Sequence, residues 1–159
     1  MVSFLDPLSD RAVGELEELP GVLYAEGLRM VPVRFVHDGR KRESLVFGYP
    51  EDARLRRVID VDRQARPIPE TGVMLTAKLA EVLGLEVGDY VRAEMLEGDR
   101  RAVSLKVSSL AAEPFGLQGH MRMDELQRVF GGKATASMAL LRIDPREYVR
   151  TEPRLKELP

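Results

Sequence analysis

The sequence predicts an α+β fold made of strand hairpins and short helices. Three observations carry this reading. Val31, Val33 and Phe35 alternate on one face before Asp38-Gly39, and Leu45, Phe47 and Tyr49 alternate after it. A type I′ turn needs positive φ at both central residues, and Asp-Gly supplies it, so this is a hairpin. Val91, Ala93 and Met95 then alternate before the turn "EGDR", and Val103, Leu105 and Val107 after it, giving a second hairpin. Around these, short stretches place apolar residues at helical spacing, bounded by capping residues and glycines.

Taken in order, "VSFL" reads as a short strand. Ser9 or Asp10 can cap a helix with Ala12, Val13, Leu16 and Leu19 on one face, and Pro20-Gly21 ends it. The first hairpin follows, over "VLYAEGLRMVPVRFV" and "ESLVFGYP". The segment from 51 to 70 is rich in Arg and Pro and has no sustained period, so it reads as a long connection with one helical turn around Leu55. "GVML" is a strand, and Thr76 is placed to cap a helix over 77–83. Leu79, Val82 and Leu83 form the apolar stripe of that helix, and Gly84 is a left-handed stop. After the second hairpin comes a loop, then a helix over "MDELQRVFGG", with Asp124 as cap and Gln127 reaching back. "ASMALLRI" is a strand buried on both faces, and the tail is helical around Pro153. "LEELPGV" at 16–22 is echoed by "LKELP" at 155–159, where the chain ends before the matching strand. That is expected of a piece cut from a longer protein.

Composition narrows the function classes. The 159 residues include 26 acids and 24 bases, for a net charge of −2, a poor footprint for nucleic-acid binding. There is no cysteine, which excludes disulfides and thiolate metal sites, and with only two histidines, His37 and His120, a histidine metal cluster has little to build on. No apolar run reaches the roughly 18 residues that span a bilayer, and "MVSFLDPLSD" lacks the basic start and apolar run of a secretory leader. At face value the chain reads as cytosolic, and a domain excised from a larger protein would look the same.

No Ser/His/Asp arrangement, P-loop or Gly-x-Gly-x-x-Gly is present, and the carboxylates are scattered. No catalytic, cofactor-binding or metal-ligating residue is assigned, and the chain is read as a non-enzyme. "GLEVGD" reads as a structural corner in which Asp89 caps turn amides, because Glu81, Glu86, Glu94 and Glu97 surround it. The arginines at 54, 56, 57, 63 and 66 are interleaved with Asp52, Asp60 and Asp62, and read as a solvated, ion-paired connection. A phosphate or lipid headgroup contact is the alternative. In "AAEPFGLQGHMRMDEL", Phe115, Leu117, Met121 and Met123 either plug the end of a barrel or, with His120, offer a surface to a partner.

The order of "LEELPGVLYAEGLRMVPVRFVHDGRKRESLVFGYP", "RLRRVID", "GVMLTAKLAEVLGLEVGDYVRAEMLEG", "GLQGHMRMDELQRVFG" and "LLRID" resembles the extracytoplasmic domain of FtsX-like and MacB-like ABC transporter permeases. The resemblance runs over 1–159 and is most specific at "ELPGV" and "LAEVLGLEVGDYV". It implies a domain inserted between two membrane helices. It also implies a porter-like β-α-β lobe from both chain ends, over 1–47 and 136–159, with a smaller, mostly β lobe inserted over 48–135. The implied role is to couple ATP-driven movement of membrane helices to an extracytoplasmic lipoprotein, lipid, peptide or protein. The implied partners are an ATPase chain and a second copy in the full permease. The alternative is a cytosolic barrel-containing regulator or nucleic-acid binder built around "GLEVGD".

Overall fold

The computed structural model of the chain describes residues 2–98, 100–114, 116–131, 135–148, 151 and 155, with the side chains of 2–11 and 135 outside that description. The elements run β1 (Val2–Ser9), α1 (Asp10–Glu17), β2 (Val22–His37), β3 (Arg40–Tyr49), β4 (Val58–Ile59), β5 (Ala65–Arg66), β6 (Val73–Thr76), α2 (Ala77–Leu83), β7 (Tyr90–Met95), β8 (Ala102–Ala111), β9 (Gln118–Arg122), α3 (Met123–Phe130) and β10 (Thr135–Ile143). The molecule is mixed, with strands dominant and few, short helices, as the sequence predicts.

One sheet has the order β1-β10-β2-β3-β9-β6-β8-β7, and β2 also pairs with β7. That pairing closes β2, β3, β9, β6, β8 and β7 into a barrel of six strands. Closure removes free sheet edges. β2 is long enough, at 16 residues, to serve two sheets. Its first part, Val22 to Leu28, pairs with β10, and Arg29 to His37 pairs with β3. Pro32 is tolerated there for a local reason. Its carbonyl accepts from the Leu96 amide at 3.0 Å, so its missing N–H lies on the β7 side, where the ladder begins only at Val33.

Three apolar clusters follow from this topology. Val31, Val33, Phe35, Val46, Val73, Leu75, Val91, Ala93, Leu105, Val107 and Met121 fill the barrel, joined by Leu79, Ala80 and Leu83 of α2 and Leu126 and Phe130 of α3. Val13 and Leu16 of α1 pack on Ala25, Ala136 and Ala139, covering the sheet of β1, β10 and the start of β2. Leu28, Phe47, Tyr49, Val58, Met74, Ala111 and Met138 form a third cluster outside the barrel wall.

The third cluster corrects several sequence readings. Phe47 and Tyr49 do share a face, but both faces of β3 are buried there: Val46 points into the barrel, and the 50–70 segment covers Phe47 and Tyr49 on the outside. Leu45 is left exposed. That segment has no helical turn at Leu55. It carries a small antiparallel hairpin, β4 with β5, which holds Val58 against the wall. The region read as a loop before α3 contains β9, parallel to β3 and antiparallel to β6.

Local details divide the same way. Asp38 (φ 44°) and Gly39 (φ 76°) form the turn expected of Asp-Gly, and Gly84 (φ 68°, ψ 43°) ends α2 in the left-handed region. Asp89 Oδ2 accepts from the Glu86 amide at 2.8 Å, so "GLEVGD" is the corner the sequence indicated. Thr76 stands at the N-cap of α2 without capping it; buried beside β9, its hydroxyl accepts from the Gln118 amide instead. Arg122, not Asp124, occupies the N-cap of α3. Asp124 lies in the first turn, where the helix dipole favours an acid, and is held by the Arg122 guanidinium at 3.0–3.1 Å. The proposed cap at Ser9 or Asp10 and the helix around Pro153 fall outside the described side chains and residues.

Candidate functional site: a cleft over a buried Tyr-His-Glu array

β3 and β9 run side by side, with Phe47 opposite His120 and Tyr49 opposite Arg122. The outward side chains of Phe47, Tyr49 and His120 are buried beneath the 50–70 segment. His120 is fully buried there. Its ring stacks with that of Phe47 at 6.2 Å between centroids and is tilted against Tyr49 at 5.7 Å. Nε2 lies 2.9 Å from Glu113 Oε2, and Nδ1 lies 3.0 Å from the Tyr49 hydroxyl. A carboxylate only accepts, so Nε2–H donates to Glu113 and Nδ1 is left to accept from Tyr49. Gln118 Nε2 donates to the same Glu113 oxygen at 2.9 Å.

Burial sets the protonation of this array. It pushes the Tyr49 phenol up to about 12, so the hydroxyl keeps its proton at neutral pH. Burial also lowers the His120 pKa from 6.5; Glu113 opposes that shift and Arg56 adds to it. The neutral imidazole is therefore the resting form. Through these hydrogen bonds the array braces β3, β9 and the loop after β8.

Above the array lies a cleft of about 470 Å3. Its walls include Tyr49, Arg56, Arg57, Arg66, Glu70 and Arg122. The 50–70 segment is fixed at its start by Glu26, buried in β2, whose Oε2 accepts from the amides of Arg54 (2.6 Å) and Leu55 (3.0 Å). It is fixed at its tip by Asp60, which accepts from Arg66 Nε at 2.6 Å and is held below the usual carboxylate range chiefly by that bond. Arg122 is met by Asp124 at 3.0 Å and Glu51 at 3.5 Å. A second cleft, of about 360 Å3, shares Pro50, Glu51 and Arg122 with the first and is bounded by Val13, Gly27, Met123 and Gln127.

The residues singled out in the sequence are thus dispersed. His120 and Met121 are fully buried, His120 on the outer face of β9 and Met121 inside the barrel, so neither can form a contact surface in this structure. Burial follows from their place in a central strand. Leu117 is half-buried against the barrel core, Met123 lines the second cleft, and Phe115 lies outside the described residues. The arginine run is only partly ion-paired: Arg66 meets Asp60, whereas Arg56 stacks 4.5 Å over the Phe47 ring and Arg54 lies 5.6 Å over the Tyr24 ring. Tyr49 and Glu113 were not singled out. They stand 71 and 7 residues from His120, and no spacing rule connects them.

Neither a protein-family model nor a curated protein matches the sequence. Solved structures do. The chain is similar to the extracellular domain of the noncanonic ABC-type transporter YknZ from Gram-positive bacteria, with a TM-score of 0.65 and 14% identity over 91% of this chain and 78% of that one. It is also similar to the periplasmic region of MacB from Actinobacillus actinomycetemcomitans, with a TM-score of 0.58 and 13% identity over 96% of this chain and 73% of that one. Identities this low speak to backbone architecture and not to individual residues. The chain has the fold of these extracytoplasmic ABC-transporter domains, which is the resemblance its sequence carries.

Proposed function

We propose that the chain is the extracytoplasmic domain of an ABC transporter permease and that it transmits movement instead of performing chemistry. The observation that carries this is the shared fold, over 91% and 96% of the chain. Strand direction supports it. β1 is antiparallel to β10, with Val2 beside Ala139 and Ser9 beside Thr135, so the start of β1 and the later part of β10 lie at one end of the sheet. A domain inserted between two membrane helices needs its way in and its way out on one side. No helix among the described residues is long and apolar enough to cross a membrane, so in this reading the spans belong to flanking sequence.

The porter-like lobe would consist of β1, α1, the first half of β2 and β10, and the second lobe would be the barrel. The strand pairings favour a division at Leu28–Arg29, within β2, and β10 as a whole in the first lobe. A separate ATPase chain would drive the membrane helices, and the lobes would pass the movement to a lipoprotein, lipid, peptide or protein outside. A second copy would complete the permease. Of the residues first considered for that contact, Leu117 and Met123 are the ones still placed to make it.

The absence of cysteine makes a direct test available. A single cysteine at the exposed Glu97, in the protein expressed from its full gene, should react with a membrane-impermeant maleimide in intact cells. The protein should sediment with membranes and co-purify with an ATPase chain. Labelling only after lysis, with the protein in the soluble fraction, would overturn the reading and favour a cytosolic role.

A further inference from the structure

The arginines around the larger cleft are not equivalent. Arg66 is bound to Asp60, and Arg122 is met by Asp124 and Glu51. Glu70 also acts on Arg122. The acids of the cleft are therefore gathered at its Arg122 end. Among the described residues, neither Arg56 nor Arg57 has a carboxylate within 4.0 Å, although both line the same cavity.

Arg56 is nevertheless held in place. Its guanidinium stacks at 4.5 Å over Phe47, a ring buried in the outer cluster and backed by His120. It also donates to the Tyr49 hydroxyl, which itself donates to His120, and this leaves the guanidinium's other N–H groups for a ligand. The backbone just before it is pinned by Glu26. A stacked guanidinium still presents its N–H fork edgewise, and a fork fixed in advance loses little entropy on binding an oxyanion. Arg57, exposed and adjacent, supplies a second cation.

We propose that the Arg56–Arg57 end of this cleft binds a phosphoryl group. Two cations that no described carboxylate neutralises match a dianion, whereas a single carboxylate would neutralise only one of them. At about 470 Å3 the cavity is larger than a phosphate, and Pro50, Ala53, Val58, Pro67 and Ile68 line the remainder, so the ligand is a phosphate ester with an organic part. A lipid headgroup and a soluble phosphorylated molecule share this chemistry.

The test uses the intact chain and two probes. Inorganic phosphate, titrated while arginine Nε–H resonances are followed by NMR, should give saturable shifts centred on Arg56 and Arg57. The double variant R56Q/R57Q should weaken binding about tenfold or more, as loss of charge-assisted bonds implies. R57Q alone, at an exposed side chain, should weaken it without altering the fold, and R142Q should leave it unchanged. Flotation with phosphatidic acid vesicles, compared with phosphatidylcholine vesicles, identifies the source. Selective flotation lost in R56Q/R57Q supports the site and assigns it to lipid. Phosphate binding without selective flotation supports the site and assigns it to a soluble ester. Shifts spread evenly over the arginines, or phosphate and vesicle binding that survive in R56Q/R57Q, would overturn the proposal.

Discussion

At the scale of single residues, burial decides what a side chain does. His120 has the chemistry of a ligand or a base, yet full burial between Tyr49 and Glu113 makes it a brace. This has a consequence in pH. The folded-state pKa of His120 lies below its ordinary 6.5. Below about that pH the unfolded chain takes up a proton that the folded chain resists, so its contribution to stability is present above 6.5 and is lost as pH falls through the folded pKa. The charged and titratable groups facing it are Glu113, Tyr49 and Arg56. Urea unfolding at pH 7.5 and 5.5 should therefore show a loss of stability at the lower pH, and H120Q should shrink that loss while lowering stability at both. An equal pH dependence in the two proteins would remove His120 as its source. His120 was visible in the sequence, but its partners were not, because hydrogen bonds between β3, β9 and the chain after β8 leave no periodic trace.

At the scale of elements, local chemistry was largely legible. The Asp38-Gly39 turn, the Gly84 stop and the Asp89 corner each rest on a backbone requirement that only a few residue types meet, so the residue announces the conformation. Gly84→Ala should cost about 1–2 kcal/mol in chemical denaturation, the strain of a left-handed residue with a Cβ. The new Cβ would meet Arg40 Nη1 at 2.5 Å, the flexible end of a side chain that can swing away, so little should be added to that strain. A loss well under 0.5 kcal/mol would mean that the turn relaxes out of the left-handed region. β9 was missed although Leu117, Gly119 and Met121 alternate with Gln118, His120 and Arg122. Glycine at an inward position masked the pattern. A Cβ at Gly119 would stand 3.1 Å from Val73 and 3.4 Å from Val46 inside the barrel, a tight fit. Thr76 shows the converse: a capping residue at the right position is taken by a tertiary partner, the Gln118 amide, whereas the cap expected at Asp124 falls two residues earlier, at Arg122.

At the scale of the whole molecule, β2 ties the parts together. It forms one wall of the barrel and one strand of the outer sheet, and its Glu26 holds the covering segment. The barrel and the outer sheet therefore share one continuous strand, so the two are expected to unfold together. Amide exchange on Leu28, paired with Met138 in the outer sheet, and on Phe35, in the barrel, should report the same opening free energy under conditions that favour global unfolding. Distinct free energies would show that the barrel and the outer sheet open independently. The Pro20-Gly21 turn makes a similar long-range tie. A Cβ at Gly21 would sit 2.5 Å from the Glu147 Cβ, and the Pro20 carbonyl accepts from the Thr151 hydroxyl at 2.8 Å.

The sequence by itself determined the α+β class, the two long hairpins, the helix-and-corner unit over 77–89 and the resemblance to transporter domains. Each of these depends on contacts near in sequence or on a pattern of spacing, and such information is written in consecutive residues. Only the tertiary structure decided that β2 serves two sheets, that the barrel closes through β2 and β7, and that the 50–70 segment covers His120. It also decided which arginines of that segment have acids and which do not. Those outcomes depend on which distant surfaces meet, and in a chain with this many similar apolar strands and scattered charges, many pairings satisfy the local pattern equally well.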